Sequence, residues 1–434
     1  MRRIFVRLAF IAVAAIALVS GCDCSHQGPD KTGYGKVMVM YSAGYNSLST
    51  YLKEDIEDLK KGYVPDKKSD DVLLLVSHLP LMTNNFSTPT SPVLVRLYKD
   101  RKAVVMDTLE RYSGETYLSR AVELNKILST IKTQFPADHY GFVFSSHSTG
   151  WVPKGYYSFP EEYDSKSDGK FRAPRRSAIP EGAVRYNPEK EFPGAPDVKS
   201  MGSTNVRTDD ANYSYEIDLQ DFADAFPMHF DYIILDACLA GGVEVAYELK
   251  DKCDLICFSP AEILADGLVY TKLASNLLEH DMDVVEVAKD YYLQYKEKTS
   301  TSDQSATISV VDCTKMDALA SCCTGLFSKY RDQIAALNPK DVQGYYRSFH
   351  HWYYDLEDML IKAGITNEEE KQLADALEEC IKYKATTNGF LMQVGGFKIT
   401  HYSGLSMYLP CDGSAYLNDF YRKLEWNKTT KLVE

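Results

Sequence analysis

The stretch YIILDACLAGG, residues 232–242, decides the fold class. Its apolar run leads into Asp236 and Cys238, and two glycines follow before a helical pattern begins. The stretch HYGFVFSSHSTG, residues 139–150, has the same form, because its apolar run leads into His147. Short apolar runs bounded by small and polar residues are typical of strands buried on both faces of a parallel sheet.

More runs of this kind occur along the chain, and helical patterns separate most of them. They are KVMVMY (36–41), VLLLV (72–76), a strand pair at 93–98 and 103–106, CDLICF (253–258) and TISVV (307–311). We therefore predict an α/β fold, a mostly parallel sheet with helices on both faces. We expect one main domain over 36–312, interrupted by a long irregular loop at 151–213. A mainly helical subdomain with a terminal strand pair follows at 313–434.

Composition excludes some classes of function. The 434 residues carry 48 Lys and Arg against 61 Asp and Glu, a net charge of −13. This balance argues against a nucleic-acid partner, because phosphate contacts need a basic face. The ten cysteines include no C-x-x-C pair, so a zinc site or a redox dithiol fits poorly. We expect no metal site and a monomeric protein.

The N-terminus is predicted to be a targeting segment. Three arginines precede an apolar run at 8–19, which is too short to cross a bilayer but suits a signal peptide. The following VSGC, ending at Cys22, resembles a bacterial lipobox. We predict a lipoprotein signal peptide at 1–21, lipidation of Cys22 and a polar tether at 22–35. The protein would then be exported and anchored by lipid to a bacterial membrane, on the periplasmic or cell-surface face. The alternative is an ordinary secretory signal that contains Cys22.

His147 and Cys238 are the candidate catalytic pair. If both strands are parallel, the two side chains lie at the carboxyl edge of the sheet, where open α/β sheets bind ligands. A thiolate is a nucleophile, and an imidazole can hold its proton and pass one to a leaving amine. A helix starting near Gly242 would point its positive end toward the thiolate. The alternative for both residues is ordinary packing in the core.

Five segments together resemble the clostripain family of cysteine peptidases. They are MVMYSAGYNSLSTYLKEDI, FPADHYGFVFSSHSTGW, EIDLQDFADAF, ILDACLAGGVEVAYELKDKCDLICFSPAEI and YSGLSMYLP. The resemblance covers most of residues 36–410 in the family's order. It implies a caspase-like fold, shared with gingipains and legumain, and an endopeptidase that cuts after Arg or Lys. It also implies a dyad of His147 and Cys238, with the backbone N–H groups of Ser148 and Cys238 as the oxyanion hole.

Ser148 departs from the family pattern, which has glycine after the histidine. A serine keeps the backbone N–H but disfavours positive φ. If that conformation is required, activity would be altered or lost. The rival hypothesis is therefore a catalytically inactive, clostripain-like lipoprotein that binds peptides or a protein partner in the same cleft.

Basic specificity needs a carboxylate in the S1 pocket, which receives the substrate side chain before the scissile bond. The resemblance points to Asp236, and Asp266 in the loop after the next strand is a second candidate. A carboxylate there would make a charge-assisted contact with an arginine or a lysine. The alternatives are a structural role for Asp236 at its strand end and an ordinary turn role for Asp266.

The long loop suggests a processing region, because some relatives cut themselves between the histidine and the cysteine. Four basic residues are candidate cleavage sites: Lys170, Arg172, Arg175 and Arg176. The alternative is a solvated loop that is never cut. Some members of the family need Ca²⁺, but the sequence contains no EF-hand type of loop, so we expect no cofactor and leave calcium open.

Overall fold

The computed structural model describes residues 33–83, 86–88, 90–167, 181–185, 204–207, 212–347 and 352–434. Within this part of the chain, Gly33–Glu434 forms one compact unit. The predicted signal peptide, the lipidation site Cys22 and most of the tether lie outside the described residues. So do the four candidate processing residues, Lys170, Arg172, Arg175 and Arg176.

Eighteen strands occur among the described residues. They are β1 Tyr34–Ser42, β2 Val72–Ser77, β3 Leu81–Thr83, β4 Phe86–Thr88, β5 Val93–Asp100, β6 Ala103–Arg111, β7 Ala137–Ser145, β8 Val184–Arg185, β9 Thr204–Arg207, β10 Asn212–Tyr215, β11 Phe230–Asp236, β12 Cys253–Phe258, β13 Thr307–Asp312, β14 Tyr354–Asp355, β15 Ile381–Thr386, β16 Gly389–Phe390, β17 Phe397–Lys398 and β18 Ser406–Met407.

Thirteen α-helices occur in the same part of the chain. They are α1 Ser49–Lys61, α2 Ala121–Gln134, α3 Pro160–Ser167, α4 Leu219–Asp224, α5 Val243–Glu248, α6 Tyr270–Ala274, α7 Val284–Lys296, α8 Met316–Lys329, α9 Arg331–Ala335, α10 Leu356–Lys362, α11 Asn367–Cys380, α12 Ala415–Tyr421 and α13 Glu425–Thr430. None of the described helices has the length and apolar character needed to cross a membrane.

Nine strands form the central sheet, in the order β15-β13-β12-β11-β7-β1-β2-β5-β6. The five in the middle, from β12 to β2, are parallel, and two antiparallel strands extend the sheet at each end. This is the α/β class that the sequence predicted, a mostly parallel sheet. The residues of the central strands are buried on both faces, which accounts for their almost unbroken apolar runs.

The C-terminal part of the chain takes part in this sheet. β15 pairs with β13, across the boundary predicted near residue 312. The sequence pattern predicts a mainly helical region over 315–385, and this is wrong at its end, where β15 begins at Ile381 and the alternating Lys382 and Lys384 face solvent.

The predicted terminal strand pair also differs from the structure. β17 pairs with β16, and β18 pairs with β14, so the two predicted strands do not pair with each other. Each is only two residues long, so tertiary packing rather than a connecting turn determines its partner. The long loop also contains structure, namely α3 and a small sheet in the order β8-β10-β9.

Candidate active site

The carboxyl ends of β7 and β11 bring the two candidate catalytic residues to one edge of the sheet. These strands are parallel neighbours, and the last pair in their register is Ser145 with Asp236. His147 and Cys238 each follow two residues later, and both side chains are buried. The sheet therefore positions the imidazole and the thiol by the same offset from two adjacent strand ends.

Cys238 lies in a tight turn that the following backbone holds in place. Leu239 has a φ of 57°, in the left-handed region that residues other than glycine rarely adopt. Its N–H donates to the carbonyl of Ala261 at 2.9 Å. The Cys238 thiol donates to the carbonyl of Ile263 at 3.5 Å, and its sulfur accepts the Ile263 N–H at 3.2 Å. The nucleophile candidate thus packs against the backbone that follows β12.

His147 is oriented by a residue from the loop after β1. The Nε2 atom of His147 lies 2.8 Å from the Ser47 hydroxyl. Asn46, next to Ser47, contacts Ser146 through its side-chain amide at 3.4 Å and accepts the Leu48 N–H at 2.9 Å. These bonds fix the imidazole ring relative to the start of α1.

The histidine loop and the cysteine turn are in backbone contact. Gly150 has a φ of 57°, and a Cβ atom at this position would overlap the carbonyl oxygen of Leu239. The Ser148 hydroxyl accepts the Gly150 N–H at 3.0 Å, which stabilises this turn. Ser148 is not among the described residues with positive φ, so its Cβ causes no backbone strain in this structure.

Asp236 is fully buried beneath the site. Its Oδ2 atom accepts hydrogen bonds from the Ser145 hydroxyl at 2.8 Å and from the Tyr270 hydroxyl at 2.5 Å. Burial, together with the charge of Asp236, raises the pKa of Tyr270 well above its ordinary value, so this hydroxyl remains a donor.

Asp266 lies in a different environment, a cavity of about 200 Å³. Its side chain is 58% exposed, and Lys298 Nζ lies 3.6 Å from its carboxylate. The cavity is also lined by Tyr270 and by three acidic residues of α1, namely Glu54, Asp55 and Asp58. The structure therefore separates the two S1 candidates, because Tyr270 contacts Asp236 on one side and lines the cavity of Asp266 on the other.

The helix predicted near Gly242 is α5, and it carries a buried acid in its first turn. Glu244 Oε1 accepts the Tyr408 N–H at 2.9 Å and the Tyr421 hydroxyl at 2.7 Å. Burial raises the pKa of Glu244 to about 7. This carboxylate links the helix after the nucleophile to the C-terminal part of the chain.

Ser47 and Tyr270 belong to the site but are not among the residues predicted from the sequence. Ser47 follows the end of β1, and β1 is the parallel neighbour of β7. The sequence could therefore have indicated that Ser47 lies at the same edge of the sheet as His147. Tyr270 gave no such signal, since a tyrosine at the start of a helix is usually a packing residue.

The profile of the clostripain family matches residues 40–167 and 196–431, which is most of the chain. The chain belongs to the clostripain family, and its enzyme class is that of the cysteine-type peptidases. A search of curated proteins found no match.

Solved structures with the same fold include an inactive zymogen C11 protease from Parabacteroides distasonis. It is 26% identical, with a TM-score of 0.71, and the match covers 92% of this chain and 99% of that one. A secreted C11 cysteine protease from Bacteroides thetaiotaomicron, in complex with an irreversible peptide inhibitor, is 22% identical with a TM-score of 0.68. That match covers 91% of this chain and 98% of the other, and it shows the fold.

Proposed function

We propose that this cysteine peptidase is an endopeptidase that cuts after Arg or Lys with Cys238 and His147. The observation that carries the proposal is the backbone contact between Gly150 and Leu239, since it joins the loop of the histidine to the turn of the cysteine. Each loop is fixed by its own hydrogen bonds, so the two side chains share one rigid edge of the sheet.

The proposed reaction forms and then hydrolyses a thioester. The Cys238 sulfur attacks the scissile carbonyl carbon, and the C–N bond breaks as a proton passes to the leaving amine. Because Ser47 contacts Nε2 of His147, the proton would move through Nδ1. The Ser148 and Cys238 N–H groups would stabilise the oxyanion. Water then attacks the thioester and releases the acid product and the thiol.

The specificity for basic side chains is supported by the charge of the cavity whose wall includes Tyr270, the residue that donates to Asp236. Its lining includes four carboxylates and one lysine among the described residues. Asp266 would pair with the substrate side chain after displacing Lys298, whereas Asp236 would hold Tyr270 in the wall of the pocket.

The cellular location is proposed from the sequence. Cleavage before Cys22 and lipidation of its thiol would anchor the enzyme to a bacterial membrane, and peptides or proteins outside the cytoplasm would be its substrates. Growth with a labelled fatty acid of cells that express the wild type or Cys22→Ala tests this. Only the wild type should carry the label in the membrane fraction, whereas a wild type without label would contradict lipidation.

The test of the activity uses the purified full-length protein and fluorogenic peptides with Arg, Lys or Asp before the scissile bond. Cleavage after Arg and Lys that is absent in Cys238→Ala supports the proposal. The assay is repeated with Ca²⁺ and with a chelator, because the calcium requirement is open, and intact mass reports cuts within 151–213.

A second candidate function is a peptide-binding protein without catalysis. It is favoured by the thiol of Cys238, which is 2% exposed and hydrogen-bonded to both backbone polar groups of Ile263. Folded protein that binds an arginine peptide but cleaves none under any of these conditions would favour this function.

A further inference from the structure

A buried ion pair lies one residue from the backbone that contacts the nucleophile. Arg347 donates from Nε to Glu262 at 2.6 Å and from Nη2 to the other carboxylate oxygen at 2.7 Å. The two side chains are only 12% and 6% exposed. A bidentate pair shielded from water is strong and geometrically specific, so it fixes the position of Glu262.

The position of Glu262 matters because of its peptide bond. That bond carries the Ile263 N–H, which donates to the Cys238 sulfur at 3.2 Å. A hydrogen bond to the sulfur is strongest when the sulfur is a thiolate, so it favours the reactive form. Arg347 can therefore act on Cys238 through the ion pair with Glu262, the covalent chain from Glu262 to the Ile263 nitrogen, and one hydrogen bond.

The segment that carries Arg347 also reaches the histidine side of the site. The Tyr353 hydroxyl donates to the carbonyl of Thr149 at 2.7 Å, two residues after His147. A backbone bond joins the described residues on either side of 348–351, since the Tyr345 N–H donates to the carbonyl of Tyr353 at 2.8 Å. One part of the C-terminal region thus contacts the loops of both candidate catalytic residues.

We propose that Arg347 is a positioning residue for the nucleophile and that it acts through Glu262 and the Ile263 N–H. The inference rests on the proposed function of Cys238. Arg347 has a second effect, because its charge neutralises the carboxylate of the residue that precedes Ile263, whose N–H contacts the sulfur. Without Arg347, that carboxylate would disfavour the thiolate, and without Glu262 the guanidinium would favour it.

These opposite charge effects distinguish positioning from general stability. Arg347→Met is expected to move the midpoint of the pH profile for alkylation of Cys238 upward, by about one unit. Glu262→Gln is expected to move the midpoint downward. The other titratable groups of the site, among them His147, Asp236 and Tyr291, are the same in both variants, so they cannot cause a difference between them.

The kinetic readout is the fall in kcat on the arginine peptide. Both variants are expected to lose about tenfold or more in kcat with a smaller change in KM, because the Ile263 N–H is no longer held in place. Arg331→Met is the matched control. Arg331 pairs with Glu434 at 3.2 Å and its side chain is 32% exposed, so kcat and the alkylation profile should stay within twofold of the wild type.

Removing one charge of a buried pair can prevent folding, so the double variant Glu262→Gln with Arg347→Met is also measured. It leaves no unpaired charge. Its alkylation midpoint should return toward the wild type while its kcat stays low. Thermal unfolding is followed for all variants to separate lost fold from lost positioning.

Several results would overturn the inference. One is an unchanged kcat and midpoint in Arg347→Met, and another is a shift in the same direction for both single variants. A gain in kcat/KM would also overturn it, since Arg347 would then obstruct the site. If the wild type cleaves no peptide, the proposed function fails, but the alkylation profiles still decide whether Arg347 controls the thiol.

Discussion

Gly150 and Leu239 touch through their backbones, and both have a φ of 57°. Each residue follows a candidate catalytic side chain closely, at positions 147 and 238. The two left-handed conformations turn the loops toward each other at the edge of the sheet. The separation of the histidine and the cysteine therefore depends on a contact between two backbone segments, which leaves no room for a side chain at position 150.

Gly150→Ala is expected to reduce activity by about a hundredfold, because the new methyl group displaces the turn that follows Cys238. A residue other than glycine at positive φ also costs about 1–3 kcal/mol of stability. The kcat on the arginine peptide and the free energy of unfolding are the measurements. Gly364→Ala is the control, since Gly364 has a φ of 87° but open space around its Cβ position. Equal activity of the two variants would contradict the prediction.

Ser47→Ala is expected to lower kcat about fivefold with little change in KM. The variant loses the 2.8 Å bond to His147, and one such bond contributes about 1 kcal/mol. Steady-state kinetics on the arginine peptide measure the effect. Ser113→Ala removes an exposed loop hydroxyl and should leave kcat unchanged. A wild-type kcat in Ser47→Ala would show that the imidazole is oriented without Ser47.

Asp266→Asn is expected to lower kcat/KM for arginine and lysine peptides by about tenfold to a hundredfold, mainly through KM. The substitution keeps the shape but removes the charge that faces the cavity. Asp281→Asn, at an exposed position, is the control. If Asp266→Asn cleaves after arginine as well as the wild type does, Asp266 does not determine the specificity.

The raised pKa of Glu244 predicts that the free energy of unfolding depends on pH. Burial raises its pKa from 4.5 to about 7, so the folded protein holds this proton more tightly than the unfolded chain. The stabilisation is fully present below pH 4.5 and is lost as the pH rises through 7. Glu244→Gln should therefore gain stability relative to the wild type between pH 5 and 8, by on the order of 2 kcal/mol.

Urea unfolding at pH 5 and pH 8 measures the difference in the free energy of unfolding between the wild type and Glu244→Gln. Glu378→Gln, on the exposed side of α11, is the control and should show a constant difference from the wild type. A constant difference for Glu244→Gln as well would mean that Glu244 is ionised in the folded protein throughout this range.

The sequence predicted the parts of this site that depend on strand order. Apolar runs before His147 and Cys238 indicated parallel strands, and parallel strands end at one edge. It could not predict the pair of Glu262 and Arg347, because 85 residues separate them and only tertiary packing brings them together. The same holds for the burial of Asp236, since the Tyr270 hydroxyl that covers it comes from a separate helix.

The C-terminal contacts at the turn of the nucleophile affect the order in which the site can form. The Ser406 N–H donates to the carbonyl of Gly241 at 2.9 Å, and the Tyr408 N–H donates to Glu244. A growing or truncated chain that stops before residue 406 contains both His147 and Cys238 but lacks these contacts. An incomplete chain is therefore expected to be inert, and premature termination would give a silent fragment rather than an uncontrolled peptidase.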